Sequence, residues 1–143
     1  MKCRSNTSAW ESSSVNIEHV ALNVADPVAL ADWYVKHLGM KIVRQVNEGP
    51  LTRFIADASG RTVLEVYRQK APVPDYAAQD PMVLHVAFVA PDIRGTRDRL
   101  LSAGATVAKD IHTTADGDEM AFLRDPWGVV IQLVRRARPL LQG

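Results

Sequence analysis

Leu84-His85-Val86-Ala87-Phe88-Val89 decides how this chain is to be read, because the chain has already written it once. Glu18-His19-Val20-Ala21-Leu22-Asn23-Val24 carries the same His-Val-Ala followed by an apolar residue, at an offset of 85 − 19 = 66. Leu64-Glu65-Val66 returns as Ile131-Gln132-Leu133, at an offset of 132 − 65 = 67. A near-constant offset at both ends indicates two copies of one structural unit. Each copy opens with a His in a strand-like run and closes with a carboxylate or an amide in another. His19, Glu65, His85 and Gln132 thus arrive from matched positions, which is the outline of a metal site.

Reading outward from the first His, residues 15–25 alternate in the manner of a strand. His19, Ala21 and Asn23 share one face; Val20, Leu22 and Val24 share the other, the one to bury under a helix. Asp26-Pro27 supplies an N-cap and a first-turn proline for a helix over 28–38, and Gly39 stops it. Leu30, Trp33 and Tyr34 form its apolar stripe. Strands are expected at 40–46, 51–57 and 62–68, separated by the turns Asn47-Glu48-Gly49-Pro50 and Ala58-Ser59-Gly60. The first module, residues 15–68, therefore reads β-α-β-β-β. Residues 69–81 contain three prolines and no periodicity and read as a linker.

The second module, residues 82–135, repeats the order. A strand at 82–90 precedes a helix opened by Pro91-Asp92, running to about Ala103 and stopped by Gly104. Strands follow at 105–111, 119–124 and 129–135, the last two joined by the turn Asp125-Pro126-Trp127-Gly128. The fold class expected is α+β, two βαβββ modules forming a cupped mixed sheet. Residues 1–14, rich in Ser, read as a disordered lead-in without the apolar core of a secretory signal. Residues 136–143 read as a solvated tail.

Composition narrows the partners. The chain has 143 residues, 47% hydrophobic and 23% charged, which suits one packed domain. A formal net charge of +1 gives no support to a nucleic-acid partner. No apolar run is long enough to span a membrane. The single Cys3 fits a reducing, cytoplasmic setting.

The chemistry rests on His19, Glu65, His85 and Gln132. Glu65 lies in Val63-Leu64-Glu65-Val66, where an unpaired carboxylate is costly to bury. Two imidazoles and a carboxylate offer it a shared cation, and that donor set suits Zn, Ni, Mn, Co or Fe(II) without choosing among them. Gln132 adds a neutral carbonyl oxygen, as a weak fourth ligand or as a hydrogen-bonding neighbour. Taken singly, a strand His is a satisfied core or surface residue and a strand Glu faces water; the repeat is what joins them. His37, in the last turn of its helix, and His112, at a strand end, read as structural or pocket-rim residues. Arg53 between Thr52 and Phe54 would bind a substrate anion if it faces the cup; a solvent-facing strand arginine is the plainer reading. Asp118 and Glu119 would supply a base only if their loop folds over the site. Trp127 reads as packing.

The chain resembles the vicinal oxygen chelate superfamily, which includes glyoxalase I, methylmalonyl-CoA epimerase, bleomycin-resistance proteins and extradiol dioxygenases. The resemblance lies in Ile17-Glu18-His19-Val20-Ala21-Leu22, in Leu84-His85-Val86-Ala87-Phe88, and in the stretch Phe122 to Leu133 with its Asp125-Pro126-Trp127-Gly128 turn. It runs from about Val15 to Arg135. It implies paired βαβββ modules around one divalent metal that binds substrate oxygens as a Lewis acid. By that resemblance His19, Glu65 and His85 fall on metal-ligand positions. Gln132 falls where glyoxalase I and the epimerase usually have a Glu.

An amide cannot accept a proton near neutral pH, so Gln132 cannot act as that Glu does. The epimerase's other base would lie near Arg53, where no carboxylate stands, and Asp57 belongs to a turn. No residue is therefore assigned as the base. The resemblance implies a metal-dependent enzyme of lyase or isomerase type acting on a small oxygen-bearing substrate. Alternatives are a resistance-type protein that binds a planar ligand without turnover, and an Fe(II) dioxygenase. A homodimer is implied, with each site formed within one chain or across two.

Overall fold

The computed structural model describes residues 13–142. Of the segment expected to be a disordered lead-in, only Ser13 and Ser14 fall among them; Cys3 and Trp10 lie outside the described residues.

The repeat is realised as two four-stranded mixed sheets, each carrying one helix. In the first module β1 (Val20–Asn23), α1 (Pro27–Leu38), β2 (Lys41–Gln45), β3 (Arg53–Ala56) and β4 (Val63–Tyr67) pair in the order β1-β4-β3-β2. In the second, β5 (Val86–Val89), α2 (Ile93–Ser102), β6 (Thr106–Thr113), β7 (Glu119–Arg124) and β8 (Val130–Arg135) pair as β5-β8-β7-β6. The first and last strands of each module run parallel and the other pairs antiparallel. The α+β class and the βαβββ order expected from the repeat are both present.

Both helices start and stop where local chemistry says they should. Asp26 Oδ1 accepts the Ala29 N–H and Asp92 Oδ1 accepts the Gly95 N–H, each capping an orphaned donor. Gly39 closes α1 at φ 68°, in the left-handed region. Leu30 and Tyr34 of α1 and Leu100 of α2 are fully buried against Leu22, Ile55, Val66, Leu123, Ile131 and Leu133, in one apolar cluster shared by both modules. Trp33 spans the gap, its indole N–H donating to the Ala103 carbonyl. Trp127 is partly buried against the cluster, in the packing role expected of it.

The structure adds detail to the sequence reading in several places. The strands containing His19 and His85 begin later than the alternation indicates, so each His stands one residue ahead of its strand. The stretch 69–81 contains a short 3-10 helix, Tyr76–Ala78, and is pinned in place. The Arg124 guanidinium donates to the Tyr76 and Gln79 carbonyls, and the buried Tyr76 donates its hydroxyl proton to the Asn23 carbonyl. The C-terminal stretch is likewise held at its start, because Asp118 accepts from Arg136 and from the Ala137 N–H. Those same donors hold the Asp118 carboxyl below its ordinary value. His37 stands in the last turn of α1 as expected. Partial desolvation, with Lys36 and Arg99 nearby, lowers its pKa, and its ring lies 5.2 Å from that of Trp33.

Candidate functional site

Each sheet has one face under its helix and one face away from it, and strand parity sorts the candidates between them. In the first module Ala21 pairs with Glu65 and Glu65 with Phe54, so these share the open face, together with His19 two residues upstream of Ala21. In the second, Ala87 pairs with Gln132 and Gln132 with Phe122, and His85 stands with them. The repeat seen in sequence is therefore a repeat of open faces, each holding a His and a partner.

The first pair is in contact. His19 Nε2 lies 3.0 Å from Glu65 Oε2, while Nδ1 lies 3.0 Å from Glu18 Oε1. A neutral imidazole has one N–H, so it donates to only one of these two carboxylates, and its other nitrogen faces an acceptor with a lone pair. In the second pair, His85 Nδ1 lies 2.9 Å from the Pro81 carbonyl oxygen. A carbonyl also only accepts, so Nδ1 carries the proton and the Nε2 lone pair is left for a ligand. That is the orientation a metal-binding histidine takes when the backbone fixes its tautomer. The Gln132 amide donates to Met120 Sδ, which leaves its carbonyl oxygen free.

Phenylalanines that the sequence reading passed over stand behind both histidines. His19 meets Phe54 edge-on at 5.8 Å, and His85 meets Phe122 edge-on at 5.4 Å. The signal was available, since the two Phe residues are 122 − 54 = 68 apart, in step with the rest of the repeat. A pocket of about 620 Å³ opens on the second module's face, lined by His85, Phe122, Gln132, Met120 and His112 among others. His112 is thus at the pocket, as one of its two expected roles had it.

Arg53 is placed elsewhere. Its neighbour Phe54 takes the open face, so parity sends Arg53 to the other side, where it is 7% exposed. Its guanidinium donates to the carbonyls of Val46, Leu51 and Thr52 and to Asn47 Oδ1. Neither the anion-binding nor the solvent-facing expectation holds; Arg53 ties down the loop before its own strand. Asp118 and Glu119 are also engaged, Asp118 as described and Glu119 by Arg135 and Arg94, so neither is a free base.

The two open faces do not meet within the chain. Among the described residues no group of three or more His, Cys, Asp and Glu side chains gathers as a cation site. His19 and Glu65 stand on one face, His85 and Gln132 on the other.

The family model described as the glyoxalase/bleomycin resistance protein/dioxygenase superfamily matches residues 16–133. The chain belongs to this superfamily. A glyoxalase family protein from Bacillus cereus is similar in fold to this superfamily member, with TM-score 0.71 and 14% identity over 85% of this chain and 93% of that one. A glyoxalase family protein from Enterococcus faecalis is similar at TM-score 0.65 and 24% identity, over 84% of this chain and 97% of that one. A glyoxalase I mutant from Zea mays is similar at TM-score 0.65 and 21% identity, over 84% of this chain but 45% of that one. No curated protein matches this superfamily member in sequence. No helix among its described residues is long and apolar enough to cross a membrane.

Proposed function

We propose that this chain is a divalent-metal-dependent enzyme of lyase or isomerase type, acting on a small substrate that binds through its oxygens. The observation that carries the reading is His19 Nε2 and Glu65 Oε2 converging at 3.0 Å on the open face of the first module. A cation shared by the two would satisfy both, and a neutral imidazole with a carboxylate suits Zn, Ni, Mn, Co or Fe(II). His85, whose Nδ1 is taken by the Pro81 carbonyl, offers Nε2 as the third donor, and the Gln132 carbonyl is the fourth. When bound, such an ion supplies Lewis acidity to a substrate oxygen. The chain's own groups hold the donors in register: Pro81 fixes the His85 tautomer, and Phe54 and Phe122 back the two rings.

The two halves join through a second copy in this reading. β1 pairs only with β4, and β5 only with β8, so each module leaves an open strand edge beside its His. Those edges carry exposed apolar side chains, Val20 at 49% and Val89 at 77%, with Ile17 at 86% just upstream. An unpaired apolar edge is a template for another chain. Because the modules are copies, the first module of one chain meets the second module of another, and a two-fold axis gives two equal cups.

Elemental mass spectrometry tests the reading. One divalent ion per chain is expected in the parent protein, lost in His19→Ala and in His85→Ala. Co-refolding the two variants then separates the arrangements. Across two copies, a mixed dimer rebuilds one intact cup, and about a quarter of the parent's metal returns by random pairing; within one chain, none returns. If no metal binds even after reconstitution, the enzyme reading fails and ligand binding without turnover takes its place.

A further inference from the structure

Both modules carry a β-bulge at the same place. In the first, Ile42 pairs with Ile55 but the next pair is Arg44 with Phe54, which makes Val43 the extra residue. In the second, Val107 pairs with Leu123 and the next pair is Lys109 with Phe122, which makes Ala108 the extra residue. Regular alternation would have set an aliphatic side chain beside each Phe. The bulge sets a cation there instead. The Arg44 guanidinium lies 6.0 Å over the Phe54 ring, a cation–π arrangement.

β6 bulges a second time. Lys109 pairs with Phe122 and His112 with Met120, three steps on one strand against two on the other. Positions 109 and 112 would face opposite sides of a regular strand, but Phe122 and Met120 face the same side, so both basic residues line the pocket. His112 stacks on Phe122, with centroids 6.5 Å apart and planes 16° apart. Among the described residues Lys109 makes no ion pair. Asp80, the carboxylate on the rim, is turned to the Met82 N–H, and the rim's Arg136 is held by Asp118.

The pocket therefore offers one unneutralised ammonium, an aromatic shelf of Phe122 and His112, and an apolar floor that includes Met120. We propose that it binds a planar aromatic carboxylate, with Lys109 taking the carboxylate and Phe122 and His112 taking the ring. Arg44 is the matching cation on the first module's face. Charge complementarity orients the anion and ring stacking supplies the rest. This deepens the reading above by naming a ligand class, yet its groups lie in one module of one chain and need no metal.

The test is a fluorescence titration of the full chain, stripped of metal by chelation, with 2-naphthoate and with its neutral isostere 2-naphthamide. Naphthoate is expected to bind at least about tenfold more tightly than the amide, as a desolvated charge-assisted contact would give. Lys109→Gln is expected to erase that preference, His112→Leu to weaken both ligands together, and Lys70→Gln, on the exposed stretch after β4, to change neither. Circular dichroism confirms that the variants fold. Equal binding of acid and amide, or an undiminished preference in Lys109→Gln, overturns the proposal. So does naphthoate binding that appears only once a divalent ion is added, a result that leaves the metal reading standing. Loss of the metal reading with the naphthoate preference intact leaves this one standing.

Discussion

Gly128→Ala is expected to destabilise the protein by about 3 kcal/mol, the sum of left-handed backbone strain and a steric overlap that cannot relax. Gly128 sits at φ +90°, and a Cβ built there would lie 2.6 Å from the backbone nitrogen of Ala77 and 2.9 Å from its Cα. Backbone cannot swing aside as a side-chain tip can. Ala77 belongs to the 3-10 helix that Arg124 and Tyr76 hold in place, so its displacement also strains those hydrogen bonds. The repeat supplies the control. Gly60 closes the corresponding turn of the first module at φ +70°, with nothing within 4 Å of a built Cβ. Gly60→Ala should cost only the backbone term, about 1 kcal/mol. Urea unfolding of both variants measures the difference, and equal costs would show that the connecting segment does not press on the second turn.

Asp125, at the start of the same turn, should give the protein an unusual pH dependence between about 4 and 6. It is 3% exposed, and Oδ2 accepts the hydroxyl of the fully buried Tyr34 at 2.8 Å while Oδ1 accepts the Trp127 and Val129 N–H groups. Burial pushes this carboxyl up from the ordinary 3.8 to about 6, against the pull of those donors. The same burial, with Asp125 beside it, raises the Tyr34 hydroxyl well above its ordinary value, so Tyr34 stays a donor. A raised acid binds its proton more tightly folded than unfolded. Its stabilising contribution is then complete below about pH 4 and is lost as pH rises through about 6. At about 1.4 kcal/mol per unit the swing is about 3 kcal/mol. Asp110 and Asp118, both held low by hydrogen bonds, act in the opposite sense and weaken the fold as pH falls below the ordinary carboxylate range. Asp125→Asn separates the two. Relative to the parent, the variant should gain stability from about pH 4 to about pH 6 and level off above that, on top of a constant offset from the altered Tyr34 contact. Parallel urea midpoints across that range would disprove the shift.

The sequence by itself determined the repeat, and with it the order of elements, the helix boundaries and the superfamily. Those follow from patterns that are local or periodic: His-Val-Ala twice, Asp at each helix start, Gly at each stop. It also singled out His19, Glu65, His85 and Gln132 as one set, and the parallel pairing of β1 with β4 and of β5 with β8 sorts them into His19 with Glu65 and His85 with Gln132. Parity reasoning failed wherever a bulge or a one-residue count entered. The face of Arg53 stayed open between two readings for want of the register that puts Phe54 opposite Glu65. Lys109 and Arg44 went unremarked because nothing in their own stretches announces the extra residue that turns them inward.

Only the tertiary structure decided how the modules sit in one chain. The Tyr34–Asp125 contact, the Trp33–Ala103 hydrogen bond and the Arg124 hold on residues 76–79 join residues 91, 70 and about 45 positions apart. No periodicity within a module encodes contacts of that separation; they arise when two complementary surfaces close on each other. Together they bury the helices between the modules and leave the two His-bearing faces apart, each beside an open strand edge. The sequence names His19, Glu65, His85 and Gln132, and the packing of the helices sets them on two separate faces of one chain.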